Sequence, residues 1–144
     1  MIGFFPFKIK YEKEIFTSED LEKIFGTIKA IIIEESPREI KIIVNDNSLI
    51  YKVGFIKNIF FCVEKGIFKV NYDEPSVKLI YNIYTLRFFL VTSLLFSLIQ
   101  IGFNRPYMSW YFGLFVVELM LWLGTVISHK FFFDRIVKRL EEIK

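Results

Sequence analysis

Two long apolar runs in the second half of the chain restrict its possible folds more than any other feature. The first covers residues 88–103 without a charged side chain, and the second covers residues 108–128 with one, Glu118. A helix needs about 20 mainly apolar residues to cross the roughly 30 Å of bilayer hydrocarbon. The rest of a 144-residue chain is too small to bury two such helices on all sides. The pattern therefore predicts a two-helix transmembrane hairpin, with spans at about residues 86–103 and 109–128.

The residues around the two runs indicate which side of the membrane each end faces. Pro106 cannot continue a helix, so the turn of the hairpin belongs between the runs. Basic residues gather before the first run and after the second, whereas the turn has only Arg105. By the positive-inside rule, both termini are expected in the cytoplasm, with the hairpin in the inner (cytoplasmic) membrane of the cell. The basic side chains expected at lipid headgroups are Lys78, Arg87, Lys130, Arg135, Lys138 and Arg139.

The first 80 residues have the pattern of a small cytosolic α+β domain. Apolar and charged residues alternate from Phe5 to Glu12, which predicts a strand with one buried face. Thr17 is followed by acidic residues and then by isoleucines at helical spacing, which predicts a helix that ends near Pro37. Lys65 and Gly66 are expected to form a hairpin turn, with the glycine at a position of positive φ. The other strands are predicted at residues 39–44, 49–56, 59–64 and 67–72.

These elements predict three units along the chain. Residues 1–80 form one helix on an antiparallel sheet of about five strands, and residues 81–130 form the transmembrane hairpin. Residues 131–144 form an amphipathic helix that continues the second span into the cytoplasm. The apolar residues between Val77 and Tyr84 suggest a short amphipathic helix that leads into the first span. The C-terminal helix has an interaction stripe that needs a partner, which is the N-terminal domain, the membrane surface or another copy: Phe132, Ile136, Val137, Leu140 and Ile143.

Glu118 is the sharpest candidate for a functional residue, because a carboxylate in the middle of a bilayer is costly and usually faces protein. Three interpretations are open. The carboxyl group is protonated and hydrogen-bonded within the hairpin, or it pairs with a group on a partner membrane subunit, or it lines an ion or proton path in an oligomer. Four other polar side chains of the first run belong to the same intramembrane set: Thr92, Ser93, Ser97 and Gln100.

The sequence contains no pattern typical of an enzyme, and we expect neither a catalytic residue nor a cofactor. His129 is expected to be an interfacial side chain, and no cysteine or second histidine accompanies it as a metal ligand. Cys62 is expected to be a packed thiol, since no histidine follows at the spacing of a nucleophile motif. The net charge of +3 is small, and its basic residues near the apolar runs favour lipid headgroups over nucleic acid.

These features suggest a non-enzymatic accessory or assembly subunit of a bacterial membrane, whose cytosolic domain docks a partner. The expected partners are the lipid bilayer and another membrane protein or further copies of the chain. The alternative is a homo-oligomeric membrane effector or channel, in which the cytosolic domain senses a signal and the hairpins assemble around Glu118.

Overall fold

The chain is arranged as one helix and one long C-terminal helix on a five-stranded sheet. The computed structural model describes residues 8–17, 19–35, 40–53, 63–73, 76–86, 90, 92–94, 97–98 and 108–143. In chain order the elements are β1 (Lys8–Ile15), α1 (Leu21–Glu35), β2 (Ile40–Asn45), β3 (Ser48–Val53), β4 (Lys65–Asp73), β5 (Ser76–Tyr84) and α2 (Met108–Glu142).

All five strands belong to one antiparallel sheet with the order β1-β5-β4-β3-β2. The predicted combination of one helix with an antiparallel sheet of five strands is confirmed. Asn45 pairs with Ser48 across a two-residue turn between β2 and β3. Strands β2 to β5 follow one another as neighbours, and β1 then pairs with β5 at the opposite edge. This arrangement makes β5 an inner strand.

The segment from Ser76 to Tyr84 was predicted as an amphipathic helix, and this prediction is wrong. The segment is strand β5, and its buried side chains alternate along the strand, as a period of two requires: Val77, Leu79, Tyr81 and Ile83. The three-residue step from Val77 to Ile80 is typical of a helix, but Leu79 and Ile83 are also apolar and continue the alternation from Val77. The segment is therefore a strand that pairs with a neighbouring strand on each side.

The hairpin turn predicted at Lys65 and Gly66 is also wrong, because both residues lie inside β4. Gly66 pairs with Tyr51 on one side and with Ile83 on the other. The glycine is required by a close approach rather than by a turn, since a Cβ at this position would overlap the Tyr51 ring. Residues 5–7 and 54–62, which include parts of three predicted strands and Cys62, lie outside the described residues.

A single hydrophobic core joins the sheet to both helices. Helix α1 begins where Asp20 accepts the amide hydrogens of Lys23 and Ile24 through its carbonyl oxygen, at 3.0 and 3.1 Å. Its buried face consists of Ile24, Phe25, Ile28, Ile31 and Ile32. Helix α2 contributes four further buried side chains to the same core: Phe133, Ile136, Val137 and Leu140.

The predicted two-helix transmembrane hairpin is not supported. Among the described residues, one helix is long and apolar enough to cross a membrane, the stretch Phe115–Glu142 of α2. The first predicted span lies largely outside the described residues, which include only residues 86, 90, 92–94 and 97–98 of it, in helical conformation. The second run forms a continuous helix, and this helix continues through the C-terminal segment without a break.

Candidate functional site at the junction of the long helix and the sheet

Helix α2 has two halves with different surroundings. Its apolar half (residues 108–125) exposes large side chains, such as Phe112 at 71%, Phe115 at 61% and Met120 at 68%. Within Phe115–Glu142, only 11% of the 18-residue apolar segment that could span a membrane is buried, and this segment reaches beyond residue 125. The docked half (residues 126–142) carries the charged residues and packs against the sheet and α1. A core helix of a soluble protein is buried along its length, so the apolar half requires a lipid or protein environment.

A chain of buried hydrogen bonds lies where the docked half begins. The Tyr81 hydroxyl lies 2.7 Å from His129 Nδ1 and also shares a short hydrogen bond with the Tyr51 hydroxyl. From the edge strand, the Tyr11 hydroxyl donates to the carbonyl oxygen of Val126 at 2.7 Å. Strands β1 and β5 therefore each supply a hydroxyl group to α2, at Val126 and His129, and β3 supplies one to Tyr81. We call Tyr11, Tyr51, Tyr81 and His129 the junction cluster.

Aromatic stacking positions the rings of the junction cluster. The Tyr81 ring lies between neighbours on two sides, with the Phe68 ring at 4.2 Å and an interplanar angle of 6°. Phe133 of α2 lies 6.0 Å from Tyr81 and 6.0 Å from Tyr11, stacked on both. Offset stacking of this kind contributes about 0.5–1.5 kcal/mol for each pair beyond the burial of area. These stacks fix the register of the helix on the sheet.

Burial keeps the tyrosines of the junction cluster protonated. Desolvation raises the pKa of Tyr11 to about 12, and it holds the pKa values of Tyr51 and Tyr81 well above the usual range. Each hydroxyl therefore remains a neutral donor and acceptor across the physiological range. The buried His129 Nε2 has no hydrogen-bond partner among the described residues. The expectation that His129 is an interfacial side chain is corrected, because its ring faces the sheet.

The described part of the chain shows no group of three or more His, Cys, Asp or Glu side chains that could hold a metal ion. The junction cluster itself joins one imidazole to phenols. A catalytic histidine is oriented by a second group that stabilises its charged form, usually a carboxylate. The hydrogen bonds of the cluster instead link neutral groups on different elements, and this arrangement fixes the position of α2.

Ion pairs complete the attachment of the docked half. Arg139 contacts Glu34 of α1 at 2.9 Å, Arg135 pairs with Glu35, and Glu141 lies 3.4 Å from Lys13 of β1. Arg135 and Arg139 were predicted at lipid headgroups, and the structure places them against α1. Two other residues of that set form ion pairs: Lys78 lies 3.8 Å from Glu12, and Lys138 lies 3.9 Å from Glu142. Lys130 is exposed, and Arg87 lies outside the described residues.

Glu118 is partly buried in the apolar half, and the Thr92 hydroxyl donates to its Oε1 at 2.5 Å. The carboxyl group therefore has a partner within the chain. The Ser97 hydroxyl donates to the carbonyl oxygen of Ser93 at 2.9 Å, the local bond typical of a serine in a helix. Gln100 lies outside the described residues.

The interaction stripe of the C-terminal helix is covered by the chain itself. Ile136, Val137 and Leu140 are buried in the common core, and Phe132 packs against it. Ile143 is partly buried. Of the three partners expected for this stripe, the structure shows the N-terminal domain. The sequence interpretation missed the three tyrosines, although the alternation along β5 marks Tyr81 as inward-facing.

Comparison of the chain with protein-family models, curated proteins and solved structures finds no match. Its function is therefore inferred from its own geometry.

Proposed function

We propose that this chain is a non-enzymatic, membrane-anchored interaction protein, in which α2 holds the sheet and α1 at the membrane surface for docking by a partner. The single observation that carries the proposal is the division of α2. Its apolar half is exposed, whereas its docked half is built into the core of the folded unit. The same helix therefore serves as a membrane element and as part of the domain.

The dimensions of α2 agree with this role. The apolar half has 18 residues, and at ~1.5 Å per residue it is about 27 Å long, which is long enough to anchor the chain in the bilayer hydrocarbon. The charged residues of α2 other than Glu118 are all in the docked half. The contact between Lys13 and Glu141 supports a common side of the membrane for β1 and the end of α2. We assign this side to the cytoplasm on the basic residues around the apolar runs.

The sheet offers an edge to a protein partner. In the described sheet β1 and β2 are the two edge strands. The edge strand β1 carries five charged residues, which protect an edge against pairing with another chain. The sequence of β2, IKIIVN, has one charged residue, and Val44 is 52% exposed. A partner that adds a strand beside β2 would meet unpaired backbone groups and apolar side chains.

Membrane anchoring is tested with a charge placed on the apolar half. The double variant Val117→Lys, Met120→Lys alters two exposed side chains, and each lysine costs ~2.5–3.5 kcal/mol at the centre of a bilayer. The wild-type chain is expected to resist alkaline carbonate extraction and to float with liposomes, and the double variant is expected to be extracted. Phe16→Lys is the matched control, because Phe16 is 66% exposed outside α2. Extraction of the wild type with carbonate would overturn the proposal.

Docking is tested by cross-linking in native membranes. A partner that cross-links to the wild type and is lost with Val44→Lys supports strand addition at β2. A chain that cross-links to no other protein contradicts the interaction role, even when it is anchored.

The alternative of a homo-oligomeric membrane effector has one supporting observation. Residues on one exposed side of the apolar half are spaced by steps of four and three, as in a helix that packs against another helix. Two of them are glycines with open space around them, which permits close approach of a second helix: Gly113, Val117, Met120 and Gly124. Oxidative cross-linking of Met120→Cys in a Cys62→Ser chain tests this, and a chain that stays monomeric in liposomes excludes it.

A further inference from the structure

Four lysines and a tyrosine form a row across all five strands of the sheet. Lys41 pairs with Lys52, and Lys52 pairs with Lys65 on the next strand. Lys65 in turn pairs with Tyr84, and Tyr84 pairs with Lys8 on the edge strand β1. We call these five residues the lysine row. With about 4.8 Å between neighbouring strands, the lysine row is roughly 19 Å wide.

The lysine row lies on the face of the sheet that points away from the core. Its neighbours along the strands, Tyr51 and Ile83, are buried on the core side, and successive side chains of a strand point to opposite faces. The lysine ammonium groups of Lys8 and Lys65 lie over the Tyr84 ring, at 5.7 and 5.0 Å from its centroid. Lys41 and Lys52 are exposed.

The lysines of the lysine row are not ion-paired within the described part of the chain. Among the described residues, no ion pair joins any of the four lysines to a carboxylate. Like charges directly opposite each other on neighbouring strands destabilise a sheet. Lys41, Lys52 and Lys65 are in this position on three successive strands. The arrangement concentrates positive charge along one line.

The lysine row lies at the end of the sheet that is nearer to the apolar half of α2. Along β1, Tyr11 contacts Val126 and Lys13 contacts Glu141, so the C-terminal end of β1 lies toward the C-terminal end of α2. Lys8 is three residues from Tyr11 in the opposite direction, toward the apolar half. The lysine row therefore marks the end of the sheet from which the apolar half of α2 extends.

We propose that the lysine row is a binding surface for the headgroups of anionic phospholipids. This inference rests on the proposed membrane anchoring. A straight row of ammonium groups matches a flat layer of phosphate and carboxylate groups, and tyrosine is a residue favoured at the membrane interface. The row next to it on the same face is apolar on three strands, with Ile43, Ile50 and Ile67 in register. A nucleic acid lying across the face would meet these isoleucines, whereas a bilayer meets only the end of the sheet.

The test uses the full-length chain reconstituted into phosphatidylcholine liposomes that contain a trace of spin-labelled lipid. The fraction of motionally restricted label is compared for phosphatidylserine and phosphatidylcholine probes at low salt. The wild type is expected to select phosphatidylserine, and the selectivity is expected to fall about fivefold for each lysine removed. The test variant is Lys41→Gln, Lys52→Gln, which removes two charges from exposed positions. The selectivity of the wild type should also fall in high salt, because salt screens exposed charges.

The control variant is Lys29→Gln, Lys69→Gln, which removes the same charge from exposed positions on α1 and farther along β4. This variant is expected to keep the selectivity of the wild type. Equal selectivity in the wild type and the test variant would overturn the inference, as would an equal loss in the control. Lysine-row-dependent binding of an oligonucleotide, without selectivity for phosphatidylserine, would also overturn it. A chain that fails to reconstitute contradicts the anchoring itself, which separates the two failures.

Discussion

The substitution Tyr81→Phe tests whether the junction cluster holds α2 on the sheet. It removes one oxygen atom and keeps the ring that stacks on Phe68. That oxygen is bonded to the Tyr51 hydroxyl and to His129 Nδ1, so two buried polar groups lose their partner at once. A buried group left without a hydrogen bond costs about 1–3 kcal/mol, and the free energy of unfolding should fall by about 2–5 kcal/mol.

Tyr51→Phe is the matched control, because it removes a single bond and leaves Tyr81 bonded to His129. Its expected cost is about 1–3 kcal/mol. In the double variant the Tyr51 hydroxyl is no longer stranded, so the total cost should be smaller than the sum of the two single costs. The assay is reversible unfolding of the full-length chain in mild detergent, followed by near-ultraviolet circular dichroism. Equal costs for the two single variants, or strict additivity, would refute the role given to the Tyr81 hydroxyl.

Two further predictions concern the same region. Gly66→Ala is expected to destabilise the fold by about 1–3 kcal/mol, because its Cβ would displace the Tyr51 ring; an unchanged unfolding midpoint and aromatic dichroism would contradict this. The raised pKa values of Tyr11, Tyr51 and Tyr81 mean that the unfolded chain releases protons first as pH rises above about 10. The three tyrosines should leave stability unchanged below pH 10 and then lower it by about 4 kcal/mol per pH unit toward pH 12, as measured by unfolding at a series of pH values. A flat profile above pH 10 would show that the three hydroxyl groups are accessible in the folded chain.

Local patterns in the sequence predict those elements whose signal is complete within a few residues. The turn between β2 and β3 follows from the run Asn45 to Ser48, and α1 follows from Thr17, the acids after it and the spaced isoleucines. The alternation in β5 is just as local, but it was obscured by apolar side chains such as Ile80 on the outer face. A strand that is half apolar on its second face has no clean period, and a helical pattern can be fitted to it.

The junction cluster could not be predicted from local patterns. Tyr51 and Tyr81 are 30 residues apart, and Tyr81 and His129 are 48 apart, so only the strand register brings them together. The lysine row has the same origin, since Lys41, Lys52 and Lys65 are unremarkable surface residues until β2, β3 and β4 are aligned. Gly66 is the converse case. The glycine stands out in the sequence, but the sequence does not show why a glycine is needed there. A glycine suggests a turn, but here it makes room for a ring from the neighbouring strand.

The continuity of α2 has a consequence for the order in which the protein is made. The side chains that close the core, Phe133, Ile136, Val137 and Leu140, follow the apolar half in the chain. During translation, the apolar half therefore leaves the ribosome before the residues of α2 that pack against the strands. Until those residues emerge, the part of the inner face of the sheet that α2 covers is exposed. Under the proposed anchoring, capture of the apolar half by the membrane would precede completion of the fold, and a nascent chain that missed the bilayer would have an unfinished core and an exposed apolar helix together.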